Sequence, residues 1–372
     1  MKICFTGDLF LGGDLLNRDA SDIVNVRSFT NADRRVVNLE QAISDTNVAA
    51  DKCTLFSDSS SLDRLKELNV QAVNIANNHI QDKGINGIAE TRQHLVKSNI
   101  GVFGAGADLT DARTKYIIEK NLVLLGYCDF EKKYLNQIEV ASVDSPGINP
   151  LRYNNVLDDL NTLDVDEKAI LYFHWGKEHV FLPTRNDLAL SKVLLNHPKV
   201  LLIVGMHAHR VQGYVQSGQR RAYMSLGIFL FPNFYISPPT QITYPSDVPV
   251  KVDVTRLYHS VYNLTYKKWK WINRVSLILE YDTVTHAIKH IPVVQNDDLP
   301  EVSELEGFQK QFINTFILFL SLVYRLNSKF YHPLEIIHSK LLAKKWTLGV
   351  QFFKIKQLGA RKVLDLLIEK FK

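Results

Sequence analysis

Cysteine is scarce in this chain: Cys4, Cys53 and Cys128 are the only three in 372 residues. An odd, sparse set excludes a disulfide framework and a Cys-rich zinc site. Cys4 and Cys128 lie in apolar runs and read as core thiols. Long hydrophobic runs are also missing. The longest, Phe312 to Val323, is broken by Asn314, Thr315 and Ser321, and it falls short of the ~20 residues a spanning helix needs. No basic, then apolar, then small-residue leader pattern opens the chain. These absences predict a cytoplasmic protein, at most peripheral to an inner membrane. Low-complexity segments and internal repeats are absent too. The net charge is only +5, and no aromatic-basic motif accompanies it, which argues against nucleic acid as a partner.

What charge there is lies unevenly. Residues 301–372 carry 12 Lys and Arg against 6 Asp and Glu, so this tail holds the positive excess. The apolar fraction of 46% supports a large buried core. Up to about residue 210, short apolar runs alternate with amphipathic segments. Strands are expected at Lys2–Thr6, Arg35–Asn38, Ala72–Ile75, Val102–Phe103, Leu122–Tyr127, Ala169–Phe173 and Val200–Val204. Helices are expected at Ser61–Leu68, Ile85–Lys97, Tyr153–Leu163 and Leu188–Asn196. This alternation predicts an α/β sheet, at least partly parallel. Beyond His209 come strands without intervening helices, Val211–Val215, Arg221–Ser225, Val275–Tyr281 and Ala287–Pro292, which suit an antiparallel continuation. Pro232–Pro249 reads as a long surface loop. A boundary near Leu299-Pro300 divides residues 1–299 from a helical region, 300–372, with helices at Phe308–Leu326, Pro333–Leu342 and Ala360–Phe371.

The chemistry gathers where the expected strands end. Lys2–Thr6 runs into Gly7-Asp8, and Arg35–Asn38 into Leu39-Glu40. Ala72–Ile75 runs into Asn77-Asn78-His79 with Asp82 and Gly84. Ala169–Phe173 runs into His174-Trp175-Gly176-Lys177-Glu178, and Val200–Val204 into Gly205-Met206-His207-Ala208-His209. In open α/β sheets, sites form outside the carboxyl ends of strands. Taken singly, Asp8 reads as a cap or turn residue, Glu40 as a solvated carboxylate and His174 as a hydrogen-bonded core histidine. Together, Asp8, Glu40, Asn78, His174, His207 and His209 offer oxygen and imidazole ligands without thiolate, a set suited to Zn, Mn or Fe. A His outside the ligand set would serve to protonate a leaving group. Gly7 and Gly205 are expected to let backbone approach metal or substrate.

These motifs, with Ser225-Leu226-Gly227-Ile228-Phe229 after them, occur in the order of the CapA-type poly-γ-glutamate and capsule-synthesis proteins. The chain resembles that family over about residues 1–292, and the family resembles a branch of the calcineurin-like metallophosphoesterases. The resemblance implies a four-layer α/β/β/α sandwich with one or two divalent metal ions at the strand ends. It implies Asp8 and His209 as ligands of one metal, and Asn78, His207 and His174 as ligands of the other. Glu40 stands where a bridging or second-metal carboxylate would be. His79 is implied as general acid with Asp82 orienting it, and Asn77 and Glu178 as groups behind the ligands or against the substrate. Two departures stand out. Ile228 replaces the Asn usual in Ser-Leu-Gly-Asn-Phe, and Phe10 stands where ordinary metallophosphoesterases have the His of Asp-x-His.

The resulting expectation is a metal-dependent hydrolase acting on a phosphoester or polymer-precursor bond in capsule, exopolysaccharide or poly-γ-glutamate production. An amide hydrolase on a γ-glutamyl polymer uses the same residues. The alternative is a non-catalytic polymer-binding or assembly subunit. Expected partners are an anionic polymer or phosphoester and a membrane-associated synthesis complex. The apolar helix at 312–324 reads as buried against the body or in an oligomer interface, or else as a membrane-surface element with the basic residues that follow it.

Overall fold

A computed structural model of the chain describes residues 1–16, 23–46, 54–129, 138–238, 240–248, 251–256 and 261–370. Cys53 and Phe371 lie outside them. The fold is mixed α/β, built on two large curled sheets with a helical C-terminal region. In the first sheet, Lys2–Leu9, Arg34–Leu39, Ala72–Asn74 and Gly101–Phe103 run parallel side by side. Val275–Asp282 and Ile288–Gln295 extend it antiparallel from the other edge of Lys2–Leu9. The short strand Val302–Glu304 pairs with Ile288–Gln295, so residues past 300 still contribute to this sheet. In the second sheet, Leu122–Cys128, Lys168–His174, Val200–Met206 and Arg220–Tyr223 are parallel, flanked by antiparallel edges.

Side-chain alternation sets the layers, because successive residues of a strand face opposite ways. Ile3, Phe5 and Val36 of the first sheet share one core with Leu124, Ile170 and Leu202 of the second. Their neighbours Cys4 and Val37 point the other way, into a core with Leu65, Ile88 and Leu95 of the helices Leu62–Glu67 and Gly84–Lys97. Val123, Leu125 and Leu171 pack with Val156, Leu160 and Leu188 of the helices Tyr153–Thr162 and Arg185–Leu195. Strands buried on both faces explain the unbroken apolar runs in the sequence. Cys4 and Cys128 are both buried, as core positions.

Three sequence expectations are corrected. The strand expected at Arg221–Ser225 within an antiparallel continuation is Arg220–Tyr223, which runs parallel to Val200–Met206 and antiparallel only to the edge strand Tyr214–Ser217. The Pro232–Pro249 segment is not a plain surface loop: Phe234–Ser237 and Gln241–Thr243 form half of a four-stranded sheet with Asp253–Thr255 and Thr265–Lys267. Its inward residues Phe234, Ile236 and Ile242 join an apolar cluster with Phe10, Phe231 and Trp269; strands this short leave too little alternation to read among prolines. The helix expected at Pro333–Leu342 spans 31 residues, Ser328–Leu358. Pro333 suggests a start because proline suits a first turn. The actual cap is Asn327, whose side chain accepts from Lys329 N at 3.0 Å, and the helix continues to Gly359 at φ 80°.

Candidate metal centre

The carboxyl ends of the central strands of both sheets converge. Asp8 lies near the end of the first strand, and Glu40 directly follows Arg34–Leu39. His174 closes its strand, and His207 and His209 follow Val200–Met206. The tight exit is conformationally costly: His207 and His209 have φ of 82° and 49°, a left-handed region that non-glycine residues seldom occupy without a reason. Gly7 and Gly205 serve a different purpose from the one expected. A Cβ on Gly7 would lie 1.9 Å from Gly227 O, and one on Gly205 2.1 Å from Met224 O. These glycines let backbone meet backbone, so that Asp8 N donates to Gly227 O and Leu226 N to Gly205 O, each at 3.0 Å.

Two groups of donors arise, with ligand atoms within 4.8 Å of one another: Asp8, Glu40 and His209, and Glu40, His174 and His207. Glu40 belongs to both. It is fully buried, and neither carboxylate oxygen has a hydrogen-bond donor among the described residues. The imidazole Nε2 atoms of His209 and His174 stand 3.5 and 3.7 Å from its Oε1. Burial, then the Asp8 and Glu178 carboxylates, push Glu40 well above the ordinary carboxylate range. A buried carboxyl without donors, repelled by neighbouring acids, is costly unless a cation compensates it. His207 fits the same need. Its Nδ1 is buried without a hydrogen-bond partner, and burial holds the ring down to about 4, neutral and ready to ligate. For His209, burial works downward, but the hydrogen bond from its ring to Asp8 Oδ2 at 3.0 Å and the Asp8 charge raise it above the ordinary value. Asn78 Oδ1 reaches His174 Nε2 at 2.7 Å, which brings the expected amide ligand to the second group.

His79 and Asp82 pair at 2.7 Å between Nδ1 and Oδ2, and Asp82 also accepts from Leu55 N. Asn77 does mainly structural work. Its amide donates to Leu39 O at 2.8 Å and accepts from His79 N at 3.0 Å, tying the Glu40 turn to the His79 turn. Glu178 is partly exposed at 44% and stands 3.8 Å from His179. Burial works to raise its carboxyl, and the imidazoles of His207, His179, His209 and His79 outweigh it, drawing it down to about 2.

Sequence reasoning passed over several positions. Asn38 donates to Asp8 Oδ1 at 2.9 Å and accepts from Asn74 at 2.7 Å. Its signal was available: two residues before Glu40, it lies on the same strand face. His179 has φ 60°, its backbone N–H donates to Ala208 O, and its ring lies beside that of His209. Asn273 bridges His179 Nδ1 and His209 O, at 3.1 and 2.9 Å. Trp346 of the long C-terminal helix stacks on His179, centroids 5.7 Å apart. No local pattern could announce these contacts, which join distant segments. Neither departure position ligates. Phe10 packs on Phe231 at 4.9 Å between centroids, and Ile228 sits fully buried in the same apolar cluster.

The chain is 27% identical over 172 residues to the PGA biosynthesis protein CapA of Bacillus subtilis, covering 45% of this chain and 44% of that protein. It is 25% identical to the capsule biosynthesis protein CapA of Bacillus anthracis, covering 45% and 41%. It is 29% identical over 133 residues to a Mycobacterium tuberculosis protein named "Probable polyglutamine synthesis accessory protein", covering 33% and 35%. Each alignment thus spans less than half of the relative's length. The sequence profile of the bacterial capsule synthesis proteins, PGA_cap, matches residues 2–233, from the first strand through both donor groups. With that match over more than half its length, the chain belongs to the PGA_cap family of bacterial capsule synthesis proteins, within the metallophosphoesterase-like superfamily.

Proposed function

We propose that this protein is a metal-dependent hydrolase acting on a phosphoester or polymer-precursor bond in capsule, exopolysaccharide or poly-γ-glutamate production. The observation that carries the reading is Glu40, a buried carboxylate without hydrogen-bond donors, shared by two groups of ligands. Asp8 and His209 would hold one divalent ion, His174, His207 and Asn78 a second, and Glu40 both. The donor chemistry suits Mn, Zn or Fe. Such ions, when bound, supply Lewis acidity toward a substrate oxygen and toward water.

The chain's own residues do the rest. Asp82 faces His79 Nδ1 at 2.7 Å and would hold a proton there, so that His79 in its imidazolium form would hand the second proton, on Nε2, to the departing oxygen and be left neutral. Asn77 holds that turn against the end of the Glu40 strand. Glu178 remains anionic and orients the imidazoles or a cationic part of the substrate. The paired sheets with helices outside them are read as the α/β/β/α sandwich of the superfamily, residues 1–299 with the edge strand Val302–Glu304 as its domain and the helices from Gly307 onward as a region built onto it. Partners would be an anionic polymer or phosphoester and the machinery that makes the polymer.

Metal analysis of purified protein, with turnover of a generic phosphodiester, tests the proposal. His207→Ala should lose both bound metal and activity; full metal-independent activity in that variant would overturn it. Release of free amine rather than phosphate would move the substrate to a γ-glutamyl amide. A second reading, a polymer-binding or assembly subunit, is favoured by the apolar Phe10–Ile228 wall beside the site. It predicts no bound metal and no turnover with any divalent ion.

A further inference from the structure

The long helix Ser328–Leu358 has two apolar faces, and the body of the protein uses only one. Tyr331, Glu335, Trp346 and Phe353 point inward. Tyr331 OH donates to Pro183 O, Glu335 faces Lys177, and Trp346 stacks on His179. On the opposite side, Phe330, Leu334, Ile337, Leu341, Leu348 and Phe352 recur three, four or seven residues apart, each more than two-fifths exposed. That spacing makes one straight stripe, roughly 33 Å long at the helical rise. The preceding helix Gly307–Val323 shows a similar stripe in Phe308, Phe312, Phe319 and Leu322, between 48% and 81% exposed. Exposed apolar surface on this scale is rare in a protein that meets only water.

Charge selects the occupant. At 100° per residue, exposed Lys340 and Lys344 border the long stripe on one side, and exposed Lys345 and Lys356 on the other. The only acidic residue of that helix, Glu335, is buried and turned inward against Lys177 and His332. A second copy of this chain would bring lysine against lysine across the stripe. An anionic bilayer would take the apolar residues among its acyl chains and the lysines at its headgroups. No described helix is long and apolar enough to cross a membrane, which leaves this face to lie along one.

We propose that the outer faces of these two helices form a docking surface for an anionic phospholipid bilayer. The proposal stands whether or not the metal centre is hydrolytic, because it rests on the opposite side of the helix. Its consequence for the site is positional. With Trp346 on His179 and the stripe on the far side of the same helix, docking would set His179 about one helix diameter, ~10 Å, from the headgroups. A substrate carried on a lipid or held at the membrane surface would be within reach.

The test is flotation of the full chain with vesicles of phosphatidylcholine alone and of phosphatidylcholine with phosphatidylglycerol. Binding should be at least about tenfold tighter to the anionic vesicles and weaken with salt. Leu341→Glu with Leu348→Glu should reduce it at least about tenfold while circular dichroism and thermal melting stay unchanged. Lys344→Gln with Lys345→Gln should abolish most of the anionic preference. Failure of the wild type to float with anionic vesicles would overturn the proposal, as would binding indifferent to both variants. A wild-type dimer that Leu341→Glu with Leu348→Glu converts to monomer, without vesicle binding, would assign the surface to self-association instead.

Discussion

Asp8 and Asn38 are register partners on adjacent parallel strands, and the Asn38 amide donates to Asp8 Oδ1 at 2.9 Å. Asn74, the partner of Asn38 on the next strand, donates to Asn38 Oδ1 at 2.7 Å. Three buried polar side chains thus form one rung across three strands. It leaves Asp8 Oδ2 to face His209. Asn38→Ala should destabilise the fold by about 1–3 kcal/mol by removing two buried hydrogen bonds at once. Urea denaturation measures this. A loss indistinguishable from zero would mean that the rung is structurally dispensable.

Glu40 carries the opposite kind of energy. Its buried carboxyl has no donor and is repelled by Asp8 and Glu178. Glu40→Gln should therefore leave the metal-free protein as stable as the wild type or more so, by about 1 kcal/mol or more. Divalent metal at a hundredfold excess over its dissociation constant should stabilise the wild type by about 2.7 kcal/mol and the variant far less. Thermal melts with and without Mn or Zn decide the matter; an equal response in both proteins would remove Glu40 from the ligand set.

How much of this was legible in the sequence follows from the kind of signal each feature leaves. The parallel strands of both sheets were readable because burial on two faces demands apolar runs. Asp8, Glu40, His174, His207 and His209 were readable because polar groups interrupt those runs at their ends. Three-residue strands such as Gln241–Thr243 fall below the length at which alternation is visible. Asn273, His179 and Trp346 meet only after the chain folds, and none sits in a pattern of its own. The long helix hid for another reason: apolar residues on two faces give no single amphipathic stripe.

His79 and Asp82 should separate binding from turnover. His79→Ala should keep its metal content, since neither donor group includes it, and lose about 10²–10⁴ in kcat. Asp82→Asn should act through the tautomer of His79, lowering kcat with a smaller effect on KM and changing the alkaline limb of the pH profile. Equal loss of metal and activity in His79→Ala would make it a ligand rather than a proton donor.

Acid should expose a fourth feature, away from the site. Burial works to raise the Asp297 carboxyl, but Arg256 at 2.8 Å, with Arg274 and Lys268, brings it below the ordinary carboxylate value. A depressed carboxylate contributes stability above its unfolded pKa and loses it as pH falls through the folded one. Asp297→Asn should therefore cost up to about 1 kcal/mol at neutral pH, and the difference from wild type should shrink below about pH 4. Melting curves from pH 7 to pH 3 test the sign. A gap that widens on acidification would contradict it.

The two departures from the family pattern are a single feature of this fold. Ile228 is the register partner of Asp8, and Phe10 follows Asp8 by two residues, just past the end of that strand, where its N–H donates to Leu230 O. Both side chains enter one apolar cluster with Phe231, Phe234 and Trp269. Phe231 and Trp269 in turn stand against the His209 ring, at 5.9 and 6.1 Å. An imidazole at position 10 would have to replace a ring packed on Phe231 and Phe234. Phe10→His should therefore destabilise the protein by about 2–4 kcal/mol without raising the metal content. Combining it with Ile228→Asn should recover part of that loss, because the new amide gives the imidazole a neighbour to bond. Elemental analysis beside denaturation of the single and double variants is the measurement. If Phe10→His alone bound more metal at undiminished stability, the apolar wall would be an accident of sequence rather than a part of how this chain shapes its site.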